Sequence, residues 1–159
     1  MPEATRRYWL MKSEPDVFSI DDLKNRPNRT EHWDGVRNFQ ARNFMRAMRS
    51  GDAAFFYHSS CPEPGVAGII EIVREAYPDF TSWDPKSPYH DSRSTPEKPY
   101  WYMVDVRFQR KLKRLVPLAE LRENPALKGM RLLARGNRLS IMPVTRQEWE
   151  TILKMEQPK

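Results

Sequence analysis

Ala53-Ala-Phe-Phe-Tyr-His-Ser-Ser-Cys-Pro-Glu-Pro-Gly-Val-Ala-Gly-Ile-Ile-Glu-Ile-Val-Arg74 decides the fold class of this chain. Ala53 to Tyr57 is a compact apolar run, and Val66 to Arg74 is a second one. Between them Pro62-Glu-Pro-Gly65 supplies turn chemistry, since proline fixes φ and glycine accepts conformations that other residues avoid. Two short apolar runs divided by such a turn read as strands.

Working outward, Tyr8 to Lys12 reads as an earlier strand. Tyr100 to Phe108 reads as a later one, with Val104 and Val106 alternating with Asp105 and Arg107, and it runs on into a basic stretch, Gln109 to Arg114. Arg138 to Val144 reads as the last strand. Four helices are expected. Ser19-Ile-Asp-Asp22 offers a capped start to a short helix reaching about Lys24, ended near Pro27. A longer helix is expected from about Phe39 to Arg49, with Ala41, Phe44, Met45 and Met48 at helical spacing and Gly51 as its C-terminal cap. Leu118 to Glu123 reads as a turn or two stopped by Asn124-Pro125, and the final helix starts at Thr145 with Glu148 completing a capping box. Strands alternating with short helices, without repeat or linker, predict one α+β domain over residues 1–159, built on a mixed or barrel-like sheet. Periodicity does not separate an open sheet from a closed small barrel.

With 159 residues, a single domain buries roughly two thirds of the surface that its unfolded chain exposes. Five Trp, six Tyr and seven Phe argue against disorder. The net charge of +6 is compatible with a polyanionic partner, because each neutralised phosphate releases counterions, but proteins without such partners reach it equally often. Cys61 is the single cysteine, and His32, His58 and His90 lack ligand spacing, so neither a disulfide nor a metal site is expected. No Walker loop, dinucleotide fingerprint or EF-hand occurs, and no cofactor is expected. Met1 to Leu10 has no leader-like apolar core, and Val66 to Val73 is too short to span a bilayer, so a cytoplasmic location is expected, or a nuclear one where the source has a nucleus.

Five clusters carry chemistry, each with a plainer reading beside it. Lys12-Ser-Glu-Pro15 could grip a polar planar ligand with Lys12 and Ser13, or simply turn the chain. Trp33-Asp-Gly-Val-Arg-Asn38 could stack a base on Trp33 while backbone amides approach at Gly35, or Trp33 could be core and Asn38 only a helix cap. The stripe Arg42, Arg46 and Arg49 that follows faces either water or phosphates. Tyr57-His-Ser59 invites a hydrolase reading, yet adjacent strand residues point to opposite faces, so His58 and Ser59 do not make a nucleophile–base pair and no catalysis is expected. The proline-rich stretch Tyr77 to Pro99 reads as an ordered loop that lids something; its Trp83 could form a second stacking face and Asp84 could accept a hydrogen bond, or Trp83 could plug the domain's open end. Arg135-Gly-Asn-Arg-Leu-Ser140 suits phosphate contact or close backbone packing, or is a plain basic turn.

Together the blocks Tyr8 to Pro15, Trp33 to Asn43, Gly51-Asp52, Phe55 to Ser59, Ala76 to Asp79, Trp101 to Val106, Leu132 to Gly136 and Arg138 to Ser140 resemble the EVE domain family over about residues 6 to 155. The resemblance implies a PUA-like mixed β-pseudobarrel with flanking short helices, similar to the YTH readers of N6-methyladenine in RNA. It implies recognition of a modified base in DNA or RNA, with restriction or RNA-processing systems as partners. Its pocket would comprise Lys12, Ser13, Trp33, Val36, Asn38, His58, Ser59, Trp83 and Asp84, rimmed by Arg135, Arg138 and Ser140, with Arg37 and Leu139 alongside. Phe39 stands where the family often has Tyr, and Met142 where Gln is common. The expected mechanism flips a base out of its stack. Unpairing costs a few kcal/mol and stacking returns about 1–3 kcal/mol per base, which leaves net attraction to Arg42, Arg46 and Arg49 on phosphates. It requires the indoles of Trp33 and Trp83 to converge on one cavity. The rival readings are a ribonuclease or base-modifying enzyme using His58 or Lys12, and a small-molecule nucleoside sensor.

Overall fold

A computed structural model describes residues 6–157, and Met1 to Thr5, with the expectation of no leader there, lies outside the described residues. Along the chain run β1 (Tyr8–Ser13), α1 (Ile20–Lys24), β2 (Thr30–His32), α2 (Phe39–Ala47), β3 (Ala53–His58), β4 (Gly65–Pro78), β5 (Tyr102–Pro117), α3 (Leu118–Glu123), β6 (Ile141–Val144) and α4 (Arg146–Met155). The six strands form one sheet in the order β2-β5-β4-β3-β1-β6. Only β1 and β3 pair in parallel; the other neighbours are antiparallel. The quoted stretch is the β3–β4 pair, with Ala54 opposite Ile70. Register shifts punctuate β4 and β5, the long strands, and such bulges bend a sheet and add twist. The end strands β2 and β6 do not pair, so the curled sheet stays open.

Both faces of the sheet are covered. Strand alternation sends Trp9, Met11, Ala54 and Phe56 into one core with Ile20 and Leu23 of α1 and Ala41 and Met45 of α2. It sends Leu10, Phe55 and Tyr57 into a second core with Leu121 of α3 and Trp149 and Ile152 of α4. Trp149 lies between two rings, 4.6 Å from Tyr8 and 4.0 Å from Phe55. The capping boxes read at Ser19 and Thr145 are both formed. Buried Asp52 ties the entrance to β1, accepting from the Trp9 indole at 3.0 Å and from the backbone amides of Arg7 and Arg49.

Four boundaries differ from the expectation. Helix α2 ends at Ala47 because Met48 turns extended to bury its side chain, which leaves Gly51, at φ +96°, in the following turn. The basic stretch continues the strand within β5, as read, whereas β4 runs on to Pro78, past the expected Arg74 and into the start of the expected loop. Residues 138–140 precede β6, which starts at Ile141. The short β2 carried no apolar alternation to betray it: its three residues are all half-buried and are placed by pairing with Asp105 to Arg107. Among the described residues no helix is long and apolar enough to cross a membrane, and no cluster of His, Cys, Asp and Glu could hold a metal ion.

Candidate functional site

Because β1 and β3 run parallel in register, Ser13 lies beside His58 and both strands end at the same edge of the sheet. There the Ser59 amide donates to the Ser13 carbonyl at 2.9 Å, and the Lys12 amide to the Ser140 carbonyl at 2.8 Å. The segment leaving β2 is held to β5 through Trp33, whose amide donates to the Val104 carbonyl at 2.8 Å. These pieces enclose a cleft of about 610 Å³. The expected residues Lys12, Ser13, Trp33, Val36, Arg37, Ser59, Arg138 and Ser140 line it. So does Gly35, read as a point of close backbone approach, and so do Glu14, Val17, Phe18, Arg26, Glu31, His32, Asp34, Ser60 and Tyr89, which the sequence reading did not single out as ligand contacts.

Trp33 is both core and wall. It is 7% exposed, with its ring edge-on to Phe56 at 5.4 Å and to Phe18 at 6.4 Å. The loop ring that joins it at the cleft is Tyr89 rather than Trp83. Gly35 makes this possible: at φ +81°, a Cβ would sit 2.8 Å from the Tyr89 ring. A fully buried carboxylate fastens the arrangement. Asp79 accepts from the Gly35 amide at 2.9 Å, from Arg37 Nη1 at 3.0 Å and from the Thr81 amide at 2.8 Å. Arg37 Nε in turn donates to the Tyr89 carbonyl at 2.9 Å. The cleft-lining Arg37 therefore ties the proline-rich loop to the Trp33–Asn38 segment.

Several expected members do not line the cleft. Trp83 ends the 3-10 turn Phe80–Trp83, half-buried, and Asp84 is exposed with its carboxylate accepting from the Lys86 amide. The expected Trp33–Trp83 sandwich is thus not assembled: Asp79 anchors the start of that turn, and the chain runs six more residues before a ring reaches the cleft. Asn38 caps α2, accepting from the Ala41 amide at 2.9 Å. His58 Nε2 accepts from the Ile20 amide at 3.2 Å, and burial pushes its pKa down, so the ring serves as a neutral acceptor. Arg135 is exposed outside the lining, and Leu139 packs against both cores.

Electrostatically the cleft is mixed. Burial lowers the pKa of the Lys12 ammonium and raises that of the Asp34 carboxyl, which His32 partly offsets. Desolvation pushes the Tyr57 phenol, under Lys12 at 5.9 Å, up to about 12. In the arginine stripe, Arg42 donates to the Tyr100 carbonyl at 2.8 Å and stacks on Phe39, Arg46 stacks on Tyr102, and Arg49 pairs with Glu75 at 3.6 Å. Gly35 and Tyr89 left a sequence signal, a glycine beside Trp33 and an aromatic in the proline-rich loop. The burial of Asp79 and the half-burial of Asp34 left none.

A family model described as the EVE domain matches residues 7–155. Thymocyte nuclear protein 1 of Gallus gallus is 50% identical, with 99% of this chain and 72% of that protein covered. An uncharacterized protein of Schizosaccharomyces pombe is 40% identical, with 97% of this chain and 70% of that protein covered. The crystal structure of human THYN1 protein in complex with 5-methylcytosine containing DNA superposes with a TM-score of 0.92 at 49% identity, covering 96% of this chain and 99% of that one. A structure from Pseudomonas syringae superposes at 0.90 with 52% identity, covering 94% and 99%.

Proposed function

The chain belongs to the EVE domain family, and from that premise we propose that its cleft takes up one flipped, modified base of a nucleic-acid strand, of the 5-methylcytosine type, without catalysis. The observation that carries this reading is the cleft itself, at about 610 Å³ and lined by Trp33, Tyr89, Lys12 and four serines. Pockets of some 300–1,000 Å³ suit small planar ligands, and rings give a base something to stack on while hydroxyl and ammonium groups read its edge. The likeness to human THYN1 protein, solved with 5-methylcytosine containing DNA, supports the choice of base.

In this reading Lys12, Ser13, Ser59 and Ser140 hold the base edge, Val36 and Trp33 form its apolar wall, and Arg138 with Arg135 receives the adjoining phosphates. Arg42, Arg46 and Arg49 add longer-range attraction. The residues 1–159 act as a single reading domain. Against a base-modifying enzyme stands His58, whose Nε2 is already committed to the Ile20 amide and does not face the cleft. An amide-resolved NMR titration with a single-stranded oligonucleotide carrying one 5-methylcytosine tests the proposal. Shifts are expected at Lys12, Ser13, Trp33, Ser59 and Ser140, with the oligonucleotide recovered intact. Shifts confined to other surfaces, or a converted oligonucleotide, would refute it.

A further inference from the structure

We infer that Asp34 makes the cleft select bases bearing an exocyclic amino group, so that 5-methylcytosine is held while thymine, which carries the same 5-methyl, is turned away. This rests on the reading that a base occupies the cleft. The acids around the cleft differ in what they have left to offer. Asp79 is consumed by Gly35, Arg37 and Thr81. Glu31 accepts from Arg26 Nε at 2.9 Å and from the His32 amide at 3.0 Å. Glu14 lines the cleft but is exposed to water. Asp34 is half-buried; beyond its own backbone amide its one ion pair is with His32 Nε2 at 3.6 Å, longer than a hydrogen bond, while Arg37 and Asp79 act on it through charge alone. Among the described residues it is the half-buried cleft carboxylate to which no other residue donates a hydrogen bond, which leaves its acceptor sites open.

An ionised carboxylate only accepts hydrogen bonds. Cytosine and 5-methylcytosine present two N–H donors at their exocyclic amino group, and adenine does the same. Thymine and uracil present a carbonyl oxygen at that position, so acceptor would face acceptor with water excluded. The aromatic wall and the apolar Val36 feel the ring and the methyl alike in 5-methylcytosine and thymine, so stacking cannot separate them. The carboxylate can. Lys12, a donor on β1, suits the remaining carbonyl and ring-nitrogen acceptors of a cytosine. One well-placed polar contact of this sort separates bases by roughly tenfold to a hundredfold.

Fluorescence anisotropy on single-stranded oligonucleotides that differ at one central base tests the inference. With the unaltered protein, 5-methylcytosine is expected to bind more than tenfold tighter than thymine, and N4,N4-dimethylation of that same base, which removes both amino hydrogens, is expected to abolish the advantage. In Asp34→Asn, whose carboxamide can turn either a donor or an acceptor to the base, the 5-methylcytosine-to-thymine ratio is expected to fall towards one while thymine binding persists. Equal affinity for 5-methylcytosine and thymine, or retention of the full ratio after either change, would overturn the role of Asp34 while leaving a base in the cleft. Absence of binding to every oligonucleotide would instead remove the underlying reading, and the inference with it. The dimethylated base needs no variant, so the outcome does not depend on Asp34→Asn folding.

Discussion

Asp79→Ala is the perturbation with the largest expected consequence outside the cleft. The wild-type carboxylate is fully buried and receives the Gly35 amide, the Thr81 amide and hydroxyl, and Arg37 Nη1. Hydrogen bonds to a charged group contribute about 1.5–3 kcal/mol each, but bonds sharing one acceptor are not additive. Removing one partner of a buried ion pair costs about 3–5 kcal/mol, because the other charge is left uncompensated, and we take that range here. The Arg37 side chain is 21% exposed, so water recovers part of the loss and the lower end applies. In a domain of this size about 3 kcal/mol lowers Tm by roughly 6–12 °C. The assay is urea unfolding with matched m-values, run as a double-mutant cycle with Arg37→Met, in which the two losses should fall well short of adding. The same variant should lose oligonucleotide affinity, because Gly35 and Tyr89 are released from each other. Stability within 1 kcal/mol of wild type, or strict additivity in the cycle, would refute the view that this pair fastens the loop to the cleft.

Three further outcomes follow from particular contacts. Gly35→Ala is expected to cost about 1–3 kcal/mol in urea unfolding and to weaken binding, since it combines a positive φ with a clash against the Tyr89 ring. His58 has a lowered pKa through burial, so the unfolded chain takes up a proton where the folded one does not. Stability is therefore full above the unfolded histidine value of about 6.5 and falls as pH drops through it; His58→Gln, which keeps an acceptor for the Ile20 amide, should flatten that part of a pH series of urea melts, and parallel curves would contradict the assignment. Arg135→Gln with Arg138→Gln is expected to reduce the slope of log affinity against log salt by about 1–2, measured by anisotropy; an unchanged slope would place the phosphates elsewhere.

Much of the fold was legible because it depends on short-range rules. Apolar runs broken by proline and glycine marked β3 and β4, and the capping pairs Ser19–Asp22 and Thr145–Glu148 marked two helix starts. The ordered residue blocks also carried the resemblance that the family match shows. At the cleft, Lys12, Ser13, Trp33, Val36, Arg37, Ser59, Arg138 and Ser140 were found in this way.

Tertiary structure alone decided which loop ring meets Trp33, which arginine is committed to a buried carboxylate, and which acid keeps open acceptor sites. Trp83 and Tyr89 lie six residues apart in one irregular loop, where no periodicity assigns a side chain to a face. Their sorting depends on Asp79, a residue that looks like any surface acid until Gly35 and Arg37 converge on it from distant positions, beside its chain neighbour Thr81. Local sequence encodes backbone conformation and the side of a regular element. The pairing of polar groups taken out of water is settled only when segments far apart in the chain compete for the same donors.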